Sequence, residues 1–184
     1  YAVSSLLELP SLSILKRISE LKSVNGRFQT LQTPNKVTVV VDYAHTPDAL
    51  ENVLQTIATI RTRNETLITV IGCGGNRDQE KRPLMAKAAV NFSDKVIFTS
   101  DNPRNEDPAV IISDMMKGVP AEHYKKTLKV TLREEAIAMA GQLAKEGDIV
   151  LIAGKGHETY QEINGERFPF SDMDIAKEIF LKPY

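Results

Sequence analysis

The chain has one cysteine, Cys73, which excludes an intrachain disulfide and a thiolate zinc cluster. No apolar run approaches the roughly 18 residues of a membrane-crossing helix, and no secretory signal is visible. Charge of one sign is also lacking. Lys and Arg number 23 against 24 Asp and Glu, a formal net charge of −1, whereas a nonspecific nucleic-acid binder normally carries a basic excess. There is no internal repeat and no low-complexity segment. Acidic residues do not cluster at metal-ligand spacing, and no Ser-His-Asp or Cys-His arrangement stands out. A phosphate-cradling G-x-x-x-x-G-K-S/T loop is absent as well. What remains is a globular chain of ordinary composition, 184 residues long, enough for one domain with a short appendage. A single thiol fits a reducing cytoplasm.

The apolar pattern alternates between strand and helix. Residues 1–22 read as largely helical, with Ile14, Ile18 and Leu21 on one face, a break at Pro10 and a turn at Asn25-Gly26. The β-branched run 37–41 predicts a buried parallel strand, followed by a helix over 47–60 with Pro47 in its first turn and Thr46 or Asp42 as its cap. The same pair recurs as a strand over 66–71, a glycine loop and a helix over 83–91. A third strand follows at 95–99, then a helix over 108–118, a short strand at 128–130, a helix over 133–145 and a strand at 149–153. Asn164-Gly165 centres a hairpin over 160–168, and a last helix spans 172–181 with Ser171 or Asp172 as cap. Strands alternating with helices predict an α/β, Rossmann-like open sheet, mostly parallel, with helices on both faces. The helical reading at Tyr1 suggests a piece of a longer protein.

Five segments carry chemistry. Four follow apolar strands, at the edge where open α/β sheets bind ligands, and one follows the first helical region. Ser100-Asp101-Asn102-Pro103-Arg104 follows the third strand; an Asn and an Arg there can hold a carboxylate, the Arg through a bidentate fork. Gly72-Cys73-Gly74-Gly75-Asn76-Arg77 follows the second strand. A dinucleotide fingerprint would need glycine where Arg77 stands, so the plain reading is a tight strand-to-helix turn. Asp42-Tyr43-Ala44-His45 ends the first strand. It reads as a helix cap with partly packed rings, or as an Asp that accepts from ribose hydroxyls beside a His that meets phosphate. Gly154-Lys155-Gly156-His157-Glu158 reads alone as a glycine turn, and Gly26-Arg27 as a turn with a solvated arginine. Cys73 is a small buried residue and His123 a surface one.

Three of these segments, Asp42-Tyr43-Ala44-His45-Thr46-Pro47-Asp48, Asp101-Asn102-Pro103-Arg104 and Gly154-Lys155-Gly156-His157-Glu158, resemble, in family order, motifs of the Mur ligases, and specifically the type that adds meso-diaminopimelate to the cell-wall stem peptide. The resemblance runs the length of the chain. It implies that residues 1–27 are the tail of the central ATPase domain and 28–184 the C-terminal, amino-acid-binding domain. That family forms an acyl phosphate from ATP and a carboxylate, which an amine then converts to an amide. The resemblance implies a substrate site for meso-diaminopimelate at Arg77, Asp101, Asn102, Pro103, Arg104, Gly154 and Glu158. Arg104 and Arg77 would take carboxylates and Glu158 an ammonium. It also implies a nucleotide vicinity at Arg27, Asp42 and His45. ATP, Mg2+ and the acceptor UDP-N-acetylmuramoyl-dipeptide would be engaged mainly through domains this chain lacks, so no catalytic or metal-ligating residue is expected in it, and no nucleic-acid or membrane partner. Arg104 is the discriminating letter, since lysine-adding relatives lack it. Two alternatives stand beside this reading: a ligase of the same superfamily with another amine specificity, such as lysine-adding or polyglutamate-adding, and a non-catalytic binding module.

Overall fold

The computed structural model describes residues 26–62 and 64–181; the helix expected over 1–22 lies outside them. Six strands form one sheet in the order β1-β2-β6-β3-β4-β5. They are β1 Gln29–Gln32, β2 Thr38–Asp42, β3 Leu67–Cys73, β4 Lys95–Ser100, β5 Thr127–Lys129 and β6 Ile149–Ala153. All neighbours run parallel except β1, which pairs antiparallel with β2, Gln29 opposite Val41. The inner strands are buried along nearly their whole length, which explains their continuous Val/Ile runs.

Helices α1 (Pro47–Ile60), α2 (Lys81–Phe92) and α3 (Pro108–Met116) cover one face, where Leu50, Leu54, Met85 and Ile112 pack on Val40, Ile71, Phe98 and Leu151. Helices α4 (Arg133–Leu143) and α5 (Asp172–Phe180) cover the other, packing Ile137, Ala140, Met173 and Phe180 on Val39, Val41, Val70 and Ile152. Thr46, Asp107 and Ser171 cap α1, α3 and α5 by accepting from backbone N–H groups in the first turn, and Pro47 and Pro108 open the first two of these helices. A short antiparallel hairpin, β7 (Tyr160–Ile163) with β8 (Glu166–Pro169), stands apart from the sheet. Its Asn164-Gly165 turn has φ of 51° and 81°, the left-handed pair that a two-residue hairpin needs.

The chain thus leaves β2, β3 and β4 toward one face and β5 and β6 toward the other. Because β6 lies between β2 and β3, its outgoing loop diverges from those on both sides. The strands end almost level: Asp42 is opposite Ala153, Ile71 opposite Ala153, and Cys73 opposite Ser100. A crevice therefore opens at the carboxyl edge around β6, where doubly wound sheets take their ligands. Among the described residues no helix is long and apolar enough to cross a membrane.

Candidate ligand-binding site

The loops after β3, β4 and β6, three adjacent strands, meet in a cleft of about 570 Å³ that also reaches Tyr43 and His45 after β2. Glycine lets the loops close up. A Cβ on Gly75 would stand 1.9 Å from the Pro103 carbonyl oxygen, and one on Gly72 would stand 2.4 Å from that of Thr99. The β3 loop is therefore pressed onto the β4 loop by backbone proximity. Its Gly75 N–H donates to the Asn102 carbonyl at 2.9 Å, and Asn76, at φ 51°, accepts from the Asn105 N–H at 3.0 Å.

Arg104 adopts φ 52°, a left-handed conformation costing a residue with a Cβ about 1 kcal/mol or more. Pairing with the hairpin holds it there: its N–H donates to the Glu162 carbonyl at 3.0 Å and its carbonyl accepts from Asn164 N–H at 2.7 Å. Its guanidinium lines the cleft, donates from Nη1 to the Gly75 carbonyl at 2.8 Å and lies 3.6 Å from a Glu162 oxygen. Arg77 also lines the cleft. It is exposed and makes no ion pair among the described residues.

Asn102 is buried and its amide orientation is set by its neighbours. Oδ1 accepts from Lys155 Nζ at 2.9 Å and from the Glu162 N–H at 3.0 Å, while Nδ2 donates to Glu158 Oε2 at 2.9 Å. Lys155 Nζ also donates to Glu158 Oε2 at 3.0 Å. Asp101 is buried beside Gly154. One of its oxygens accepts from the Asn102 N–H, and the other faces the glycine at φ 115°, where a Cβ would stand 2.8 Å away. The Gly154 N–H is engaged by the Asp42 carbonyl, so its carbonyl is the backbone group left at that position. Burial pushes the Cys73 thiol up to about 12, so it stays protonated and inert although it borders the cleft.

The opposite lip is aromatic. Tyr43 lies with ring centroids 4.6 Å from His45 and 5.0 Å from His157, and Lys81 Nζ donates to the His45 carbonyl at 3.0 Å. Asp42 is buried below this lip and outside the cleft lining. Its Oδ2 accepts from the Phe28 N–H at 2.6 Å and its Oδ1 from the Ala44 N–H at 2.8 Å. The carboxylate thereby fixes the segment carrying exposed Arg27. The same segment touches the β6 loop so closely that a Cβ on Gly26 would stand 2.0 Å from the His157 nitrogen.

Of the residues singled out in the sequence, Arg77, Asp101, Asn102, Arg104, Gly154, Glu158 and His45 line this one cleft. Pro103 does not: it borders a smaller pocket on the far side of its loop. Its part is backbone, the carbonyl accepting from the Glu106 N–H. Sequence reasoning missed two fully buried cations below the cleft, Lys155 and Arg133. Arg133 bonds both oxygens of buried Asp172 at 2.8 Å and donates to the carbonyls of Ala153 at 2.9 Å and Ser100 at 3.4 Å, the last residues of β6 and β4. A Lys between two glycines and an Arg opening a helix both read as solvated, and no local pattern signals otherwise. Among the described residues, no group of three or more His, Cys, Asp or Glu side chains is placed to hold a metal ion.

Fold and site define a domain of the doubly wound α/β class with a polar, mixed-charge cleft at its carboxyl edge. The chain belongs to the Mur ligase family: that family's glutamate ligase domain matches residues 26–156. It is 53% identical over 179 residues to the UDP-N-acetylmuramoyl-L-alanyl-D-glutamate–2,6-diaminopimelate ligase of Cytophaga hutchinsonii, covering 97% of this chain and 37% of the relative. It is 54% identical over 167 residues to the ligase of that name from Bacteroides thetaiotaomicron, covering 91% and 35%. A solved structure of a protein of that name superposes with a TM-score of 0.78 at 41% identity, covering 97% of this chain and 36% of the other. The chain thus spans little more than a third of the length of these relatives.

Proposed function

We propose that this chain is the C-terminal, amino-acid-binding domain of a cytoplasmic ATP-dependent ligase that adds meso-diaminopimelate to UDP-N-acetylmuramoyl-L-alanyl-D-glutamate. The observation that carries the reading is the charge pattern of the cleft. Two arginines, Arg77 and Arg104, line the cleft with a carboxylate, Glu158, that uses only one of its oxygens among the described residues. This pattern is complementary to an amino acid bearing carboxylates and ammonium groups. The diaminopimelate named for relatives about half identical to this chain has that chemistry.

In this reading Arg104, with the free N–H of Asn102 Nδ2, takes the distal carboxylate, and Glu158 Oε1 takes the ammonium on the same carbon. Arg77 takes the other carboxylate. The remaining amine stays free to attack the activated acceptor. Gly154 contributes its carbonyl, Asp101 braces the Asn102 backbone, and Pro103 shapes the loop. Arg27, Asp42 and His45 face the nucleotide across the aromatic lip, with Asp42 reaching a ribose through the lone pairs its two backbone bonds leave. Residues 1–27 belong to the neighbouring ATPase domain and its linker, and 28–184 to this one.

ATP and Mg2+ supply carboxylate activation in such a ligase. The chain has no phosphate-cradling loop, and its described residues offer no metal-ligating group, so the residues present do not fit that machinery. The chain alone should therefore release phosphate only at background with ATP, Mg2+, acceptor and diaminopimelate. Acceptor-dependent turnover by it would refute this division of labour. The reading as a whole is tested by the amine specificity of the full-length enzyme. Meso-diaminopimelate should be the preferred substrate, and preference for lysine or glutamate would overturn it.

A further inference from the structure

We propose that Lys155 is the positioning residue that sets the polarity of the amino-acid cleft. Its buried ammonium fixes Asn102 and Glu158 so that one presents a donor and the other an anionic acceptor to the ligand. The proposal rests on the reading of this cleft as the amino-acid site. It concerns a residue that does not itself border the cleft.

Lys155 is fully buried, and an ammonium removed from water is tolerated only when paired and hydrogen-bonded. It lies between glycines at φ 115° and 52°, and the loop cannot relax outward. A Cβ on Gly156 would stand 2.6 Å from both the Gly26 carbonyl oxygen and the Tyr43 Cβ. The side chain points inward over Tyr160 and Phe170, with Nζ 5.7 Å and 6.0 Å from the two ring centroids. There, among the described residues, it donates to two acceptors, Asn102 Oδ1 and Glu158 Oε2.

Two consequences follow from counting donors and acceptors. Asn102 cannot flip its amide, because the flipped NH2 would face both the Lys155 ammonium and the Glu162 N–H, donor against donor. With Oδ1 satisfied twice and Nδ2 used once by Glu158, a single N–H remains unused among the described residues. Glu158 receives both of its bonds on Oε2, from Asn102 Nδ2 and from Lys155, and Oε1 receives none among the described residues. A donor and a carboxylate oxygen are thus presented side by side, the complement of a carboxylate and an ammonium on one carbon. Without the ammonium, Glu158 can rotate, and the Asn102 amide loses one of the three bonds that orient it.

The test is steady-state kinetics of the full-length enzyme with Lys155→Met, Glu158→Gln, the double variant and Arg104→Ala, each substrate varied in turn. Lys155→Met should raise KM for meso-diaminopimelate about tenfold or more, the scale expected for removing one partner of a desolvated charge pair. KM for ATP and for the acceptor should stay within about twofold. With Glu158→Gln already present, Lys155→Met should add no more than about threefold, because the two act as a unit. If Lys155→Met does not fold, Lys155→Gln is held to the same criterion. Should Arg104→Ala raise KM for diaminopimelate while the Lys155 variant leaves it unchanged, the inference fails and the reading of the cleft stands. The inference also fails if the Lys155 and Glu158 effects multiply, or if all three KM values rise together, as a general loss of structure would cause. If neither Arg104→Ala nor Lys155→Met moves it, the reading and the inference fall together.

Discussion

The cations of this domain divide into two populations. Arg82, Arg133 and Lys155 are fully buried, and each has a carboxylate oxygen within 3.0 Å. Arg77, on the β3 loop, is exposed, and Arg104, on the β4 loop, is partly so. The nearest carboxylate oxygen to Arg104 is 3.6 Å away, and Arg77 has no ion pair among the described residues. The difference is one of solvation. A buried cation without an anion costs several kcal/mol, so burial makes pairing obligatory, whereas a cation at a cleft mouth is stabilised by water until a ligand replaces that water. The buried group therefore builds the walls, and the open group retains charge for binding. Substituting one member of each kind should separate stability from recognition.

The largest effect is expected at Arg133. Lost with it would be the only ion-pair partner of fully buried Asp172 among the described residues, and the bonds tying Ala153 to Ser100 across the sheet edge. Arg133→Met should destabilise the domain by about 3–5 kcal/mol, the usual cost of leaving a buried charge alone. For a domain of this size that corresponds to a fall in Tm of roughly 10 °C. Thermal denaturation followed by circular dichroism measures it. Adding Asp172→Leu should recover part of the loss. A shift of under about 2 °C would remove Arg133 from the structural population.

Arg104 is expected to behave in the opposite way. Arg104→Ala should lower kcat/KM for meso-diaminopimelate by roughly 30-fold or more, about 2 kcal/mol, through the lost carboxylate fork. Folding stability should change little, since the guanidinium is partly exposed and its positive-φ backbone is held by bonds to Glu162 and Asn164 that alanine keeps. Activity on lysine, which has no distal carboxylate, should change far less. Equal losses on both amines would mean that Arg104 shapes the loop and does not read that carboxylate.

Those two arginines also mark what was legible in the sequence. Periodicity found β2, β3, β4 and β6 because buried parallel strands are written as unbroken Val/Ile runs, and Asn164-Gly165 announced its hairpin. It gave no sign of β1, whose Gln29-Thr30-Leu31-Gln32 holds one apolar residue and is a strand only through its ladder with β2. Helix ends shifted by about two residues: α2 begins at Lys81 and α3 ends at Met116, not at 83 and 118. Residues at strand ends could be assigned to one edge, since parallel strands share a direction. That β6 inserts between β2 and β3, bringing Glu158 against Asn102, depends on long-range pairing that no local pattern records. The same limit hid Lys155 and Arg133, whose burial is a property of the assembled loops.

The smallest effect is expected at Arg82, which is as buried as Arg133 but whose partners are not. Its Nη2 donates to both Glu106 oxygens at 2.8 and 3.0 Å and its Nη1 to Asp114 at 2.9 Å, and both carboxylates reach solvent. Arg82→Met leaves anions that water can reclaim, so at neutral pH the loss should be nearer about 1–2 kcal/mol, the range for hydrogen bonds to charged groups. This loss should depend on pH in a defined direction. Glu106 is held below its ordinary 4.5, first by the Asn76 N–H and then by Arg82. Asp114 is held below 3.8, first by Lys117 and then by Arg82. A carboxyl with a depressed folded value binds its proton more readily unfolded. Its contribution is therefore complete above the ordinary value and is lost as pH falls through the lower, folded one. Wild type should accordingly lose stability below about pH 4.5, within the ordinary carboxylate range. The gap between wild type and Arg82→Met should narrow over the same window. Urea denaturation at pH 7 and at pH 3.5 measures both quantities. A gap that stays constant or widens on acidification would show that Arg82 stabilises the domain through packing of its stem and not through these two carboxylates.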